Sequence, residues 1–317
     1  MVVIGGVLYS VGGIRGDANE SNHYERAVAD TFGYDTKNDS WSSRAAMPKA
    51  LWGQGAAAVD GRILTFGGAE TNVYGPGSPV SAIYAFTPGS GWSTLSETCP
   101  EPVFSTRAVT GPDGLIYIVG GATGAENPSD TARIWRFDPS SETVDNPGWA
   151  QLPAPRRWVS ATARTVGKTD YLYVMGGHNV SSGNLTSAVH RYPLSGPKEG
   201  EREKLSDAPT AFRQATSDCV IDGRMYIAFG HHSNADFQTE AGFKRDVYRY
   251  DLARDSWDAD MPKLPEGHGR VPGAHGVAAG SLYVAGGHIK QYSGAEAHVT
   301  RNYVNVLSAN DSGGGGS

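Results

Sequence analysis

The chain has 317 residues, of which 42 are glycine and 18 proline, and 39% are hydrophobic. Glycine at this level without a collagen-like period points to many short strands joined by turns, around a core of adequate size. A formal charge of −6 with no basic stripe argues against a nucleic-acid surface, and no apolar run nears the ~18 residues of a membrane helix.

The first strand pattern, MVVIGGVLYSVGG, has no basic leader ahead of it and is read as fold, not as a signal peptide. Its ending recurs six times: VLYSVGG closing at Gly13, RILTFGG at Gly68, LIYIVGG at Gly121, YLYVMGG at Gly177, RMYIAFG at Gly230 and SLYVAGG at Gly287. A period of 53 to 56 residues with about four strands per unit is the sequence pattern of a propeller. After each glycine ending comes a polar loop and a second strand, clearest as DTFGYD at 30–35, RIWRFD at 133–138 and DVYRYD at 246–251. A tryptophan segment follows (Trp41, Trp92, Trp149, Trp257), then a proline loop, then a strand of small residues such as GAAAV at 55–59. Small side chains suit the inner strand, where blades converge, and the aromatic residues supply area between blades.

The glycine pair, the tyrosine and the tryptophan together resemble the kelch repeat, over essentially the whole chain. The resemblance implies an all-β, six-bladed kelch β-propeller of four-stranded antiparallel blades. Blades are expected at about 1–50, 51–102, 103–156, 157–210, 211–266 and 267–312, followed by a Gly/Ser linker at 313–317. Repeat 4 has Leu205 in place of the tryptophan, and repeat 5 has Gly230-His231 in place of the glycine pair. Repeat 6 stops after NYVNVLSAND, so blade 6 is expected to lack its outer strand, the strand kelch rings usually draw from the opposite end of the chain. Cys99 and Cys219 fall in repeats that are not neighbours and are not expected to pair.

In such a ring the loops from strand b to c and from d to a share one face, around the channel mouth. Long loops on a rigid scaffold are where recognition is built. The position after the glycine ending is His178, His231 and His288 in repeats 4, 5 and 6, with His232 adjacent. Imidazoles there can hydrogen-bond a ligand or move protons, though equivalent atoms of neighbouring blades are too far apart to share one ion. The d–a loops add Trp52, Phe104, Arg107, Arg157, Trp158, Phe212, Arg213, His268, Arg270 and His275. Arginines among aromatics suit a carboxylate, a sugar or a peptide, and they also suit capping carbonyls of a neighbouring blade.

His232, Asp236 and Glu240 fall at four-residue intervals, in the reverse order of the iron motif of plant nitrile-specifier kelch proteins. Reversal breaks that motif, and no metal or other cofactor is assigned. The copper constellation of kelch-propeller galactose oxidases has no match, nor do a nucleophile elbow, a P-loop or HExxH. RQATSDCVIDGRMYIAFG at 213–230 broadly resembles a repeat of the sialic acid mutarotases. That likeness would imply acid–base work on a sugar hemiacetal by Arg157, Arg213, His178, His231 and His288.

The leading expectation is a monomeric recognition scaffold for a peptide, a protein or a small acidic or sugar ligand. Neither nucleic acid nor membrane is an expected partner. The alternatives are a mutarotase-like enzyme at the same mouth and an engineered propeller scaffold. Five sequons, at Asn19, Asn38, Asn179, Asn184 and Asn310, lean toward secretion against a background of chance occurrence.

Overall fold

The computed structural model describes residues 2–15, 26–70, 78–124, 129–231, 245–265, 271–289, 299–300 and 304–308. Among them every regular element is a strand, and no helix is long and apolar enough to cross a membrane. Six antiparallel sheets follow one another along the chain, each a blade, and in the first five the strands run a to d from the axis outward.

Blade 1 is built from Val2–Ile4, Val7–Val11, Thr31–Asp35 and Ser40–Ser43, and blade 2 from Gly55–Val59, Arg62–Phe66, Ala82–Thr87 and Gly91–Thr98. Blade 3 uses Arg107–Thr110, Ile116–Val119, Arg133–Asp138 and Thr143–Val144, with Ala150–Gln151 also on its third strand. Blades 4 and 5 begin at Ser160–Val166 and Val220–Ile221 and end at Glu203–Lys204 and Ser256–Asp258. In blade 6, Val271–Ala278 and Ser281–Ile289 are followed by Val304–Ser308, which is the outermost strand among the described residues.

The core is not one mass but six wedges, each between adjacent blades. Phe66, Trp135 and Phe137 fill the wedge between blades 2 and 3, and Met175, Phe212 and Tyr250 that between blades 4 and 5. Leu205, standing where the other repeats have tryptophan, is buried in the latter wedge. The last wedge, Leu8 and Tyr34 with Ala278 and Tyr283, joins blade 1 to blade 6 and closes the ring through side chains. Cys99 and Cys219 are both buried and unpaired.

The glycine pairs act as latches between blades. The N–H of the second glycine donates to a carbonyl of the loop entering the next blade: Gly13 to Leu51 (2.8 Å), Gly68 to Val103 (2.8 Å), Gly121 to Arg156 (3.0 Å) and Gly177 to Phe212 (2.8 Å). The first glycine sits against the same carbonyl. A Cβ on Gly67 would lie 2.1 Å from the Val103 oxygen, and one on Gly120 2.5 Å from that of Arg156. Both glycines of a pair also have positive φ, such as 64° and 109° at Gly67 and Gly68. In repeat 5 the pair is Phe229-Gly230, not Gly230-His231. Phe229 holds φ 64° in the first place, and a Cβ on Gly230 would meet the Arg213 oxygen at 2.5 Å, as Gly121 would meet that of Phe104.

Replacing Gly67 therefore breaks a backbone contact that no rotamer change relieves. Gly67→Ala is expected to lose 3 kcal/mol or more, on the order of the largest single-site effects. Gly61→Ala, at a turn glycine with φ 72° and open space around its Cβ, is expected to lose about 1 kcal/mol. Urea unfolding of the two variants checks this, and equal losses would contradict the latch.

Candidate functional site

The latches also hang the mouth residues. In blades 2 to 5 the loop entering the blade makes an antiparallel bridge to the residue just after the glycine ending. The pairs are Trp52 with Ala69, Phe104 with Ala122, Arg157 with His178 and Arg213 with His231. The next residue is left-handed each time: Gly53 (69°), Ser105 (54°), Trp158 (57°) and Gln214 (53°). One structural position thus carries two aromatics on alanine and then two arginines on histidine.

These side chains meet in a continuous arc. Trp52 meets Phe104 edge-on with ring centres 5.3 Å apart. The Arg157 guanidinium lies 5.4 Å from the Phe104 ring and 5.4 Å from that of Trp158. Arg213 covers Trp158 at 4.8 Å, and His178 stacks on Trp158 at 5.8 Å with the planes 7° apart. Phe104, Arg157, Arg213, His178 and His231 are buried, whereas Trp52 and Trp158 are half-buried.

The two arginines differ in their partners. Arg157 Nε donates to Asp130 at 2.5 Å, and that carboxylate, 1% exposed, also accepts the Val180 N–H. Arg213 Nη1 instead donates to His178 Nδ1 at 2.9 Å, and no carboxylate approaches it among the described residues. Burial, then the neighbouring Arg157 charge, pulls the Arg213 guanidinium down to about 10, so it stays charged at neutral pH. Burial, followed by Arg213, holds His178 at about 4. Because its Nδ1 accepts, the neutral ring carries its proton on Nε2, which is buried, and the backbone of Gly183 is hydrogen-bonded to the ring.

Arg107 and His275 lie elsewhere, along the channel wall. Arg107 Nε donates to the Val159 carbonyl (3.0 Å) and Nη2 to that of Ala215 (3.4 Å), tying blade 3 to blades 4 and 5. His275 Nε2 accepts the Ser217 N–H at 3.0 Å and ties blade 6 to blade 5. Phe212 is core between blades 4 and 5. His288 lies on strand b of blade 6, where its backbone pairs with Val271 and Thr300. Its side chain lies outside the described residues, as do His232, His268, Arg270 and the 232–240 histidine–acid series. Among the described residues no three His, Cys, Asp or Glu side chains are grouped to hold a metal ion.

Two groups went unnoticed in the sequence. Asp130 is a loop acid whose burial depends on contact with the next blade; its only local signal is its place just before strand c. His190, on strand c of blade 4, is held at about 4 by burial and then by Arg156.

Among known proteins, no family model matches the chain. It is 30% identical to beta-scruin of Limulus polyphemus over 63% of its length, and 28% identical to Kelch-like protein terF of Aspergillus terreus over 81%. It spans 22% of the first and 54% of the second, so these relatives extend well beyond what it matches. The solved structure of YjhT superposes with a TM-score of 0.67 and covers 96% of each chain at 17% identity, a likeness of fold. The chain is a kelch-repeat β-propeller. The glycine ending comes one strand before the tyrosine, and in blades 1 and 5 that tyrosine packs on the tryptophan, Tyr34 on Trp41 and Tyr250 on Trp257.

Blade 4 stores a pH dependence. His178 and His190 titrate near 4 when folded and near 6.5 when unfolded, so between these values the unfolded chain binds more protons. Stability is therefore complete above about pH 6.5 and is lost as pH falls toward 4. The expected loss is about 1–2 kcal/mol for each ring by pH 5. Urea midpoints measured between pH 7.5 and 5 should show it, and His178→Gln should flatten the profile by about a third, since burial also keeps His275 from protonating.

Proposed function

We propose that this propeller is a recognition scaffold that binds an acidic segment of a peptide or protein at the arc of blades 2 to 5. The observation that carries the reading is Arg213, a buried guanidinium with a neutral imidazole and an indole as its partners and no acid. A buried charge without a counter-charge is expensive, and the surroundings of Arg213 make a carboxylate the natural complement. Asp130 already neutralises Arg157, which leaves the arc one positive charge in surplus. Trp52 and Trp158 supply the half-exposed aromatic surface on which a peptide backbone can rest, as anchor residues do at protein interfaces. Kinship with kelch proteins supports a binding role as well, by analogy of fold.

The mutarotase-like reading needs a group that gains and loses a proton near neutral pH. His178 titrates far below that range and its Nε2 is buried, so the arc favours binding over proton transfer.

Fluorescence polarisation with labelled Glu-rich peptides, against the same peptides carrying Gln, tests the proposal. The acidic peptides should bind at least tenfold tighter, with affinity falling as salt rises. Arg213→Met should weaken them by 30- to 100-fold, the scale of a charged hydrogen bond, and Arg213→Lys by less. Equal binding of acidic and amide peptides would sink the proposal, as would an Arg213→Met protein that folds and binds unchanged.

A further inference from the structure

On the propeller axis lies a cavity of about 380 Å³ walled by the inner strands, with residues from all six blades on its lining. Its ionisable lining consists of Arg107, Arg164, Asp218 and His275. Arg164 and Asp218 satisfy one another at 3.0 Å, and the Thr162 hydroxyl donates to the same carboxylate oxygen at 2.6 Å. Arg107 has no acid. Its guanidinium donates to two carbonyls, and its Nη1 donates to nothing among the described residues. The wall therefore holds two cations against one anion.

His275 adds a second unmet donor. Its Nε2 accepts the Ser217 N–H, so the neutral ring carries its proton on Nδ1. That Nδ1 is buried without a partner, in a side chain only 5% exposed. Burial, aided by nearby positive charge including Arg107, keeps the ring from protonating and so from adding a third cation. Burial also raises the Asp218 carboxyl, and any proton gained there deepens the positive surplus.

We propose that the axial channel is a binding site for a small monovalent anion, of halide to acetate size, seated on Arg107 Nη1 with the His275 Nδ1–H as second donor. The anion restores neutrality in the lining and holds blades 3, 4, 5 and 6 at their inner strands, since Arg107 and His275 already staple those blades together. The site is separate from the arc at Arg213 and survives the failure of that reading.

Thermal unfolding of the full chain in increasing sodium bromide, with wild type and Arg107→Met run side by side, tests the channel. Wild type should show a gain that rises with the logarithm of the bromide concentration and reaches about 2 °C by ten times the dissociation constant. Arg107→Met should show only the general salt effect, His275→Phe a weaker logarithmic gain, and Arg213→Met the full one. Anomalous scattering from bromide-soaked wild-type crystals decides the location even where Arg107→Met fails to fold. A peak beside Arg107 supports the site. Overlapping wild-type and Arg107→Met curves, or bromide found only at Arg213 or nowhere, would overturn it.

Discussion

Everything at the mouth depends on the contact between a glycine and a carbonyl that comes too close for any side chain. The carbonyls of Leu51, Val103, Arg156 and Phe212 press against the first glycine of a pair while the N–H of the second takes the hydrogen bond. Hydrophobic wedges between blades supply most of the attraction, but they are soft in direction. The latch is not: it sets the distance at which each entering loop crosses the previous blade. The next residue along that loop is Trp52, Phe104, Arg157 or Arg213. The same backbone contact that spaces the blades thus fixes the origin of every arc side chain, and the arc is as rigid as the ring.

That rigidity lets the protein keep charge where it would otherwise be lost. A guanidinium such as Arg213 could relax toward water on a flexible loop. Held between Trp158 and His178 it cannot, and the histidine answers by staying neutral. Arg157 shows the satisfied version of the same position, with Asp130 brought in from the preceding blade. Two equivalent sites, one neutralised and one not, make the contrast internal to the molecule and independent of any general preference of arginines for acids.

Much of this was legible in the sequence, because the repeat is written in residues whose backbone demands are local. Glycine pairs, the tyrosine and the tryptophan gave the blades, and counting from the pairs placed His178 beside the arginines. Three things were not legible. Phe229 takes a glycine's place at positive φ, a substitution that composition disfavours, so repeat 5 read one residue out of step. Arg107 and His275 share a loop pattern with the arc residues but lie on inner strands and line the channel, a difference invisible to spacing. Asp130 needed the neighbouring blade, since its partner Arg157 is 27 residues away in sequence.

The seam between blades 6 and 1 differs at its rim from the other seams among the described residues. Trp92 and Trp257 each donate their indole N–H to a carbonyl just after the outer strand of the preceding blade, Ala45 and Ser206. Trp41 occupies the same place in blade 1, but among the described residues blade 6 has no outer strand before it, and Trp41 is 45% exposed. Its ring still rests on Tyr34, which reaches Tyr283 across the seam. The inner part of that wedge is therefore complete and only its rim is open. The arc and the channel are both built on inner strands and entering loops, so the chemistry at the centre of the ring does not depend on the outer rim of this seam.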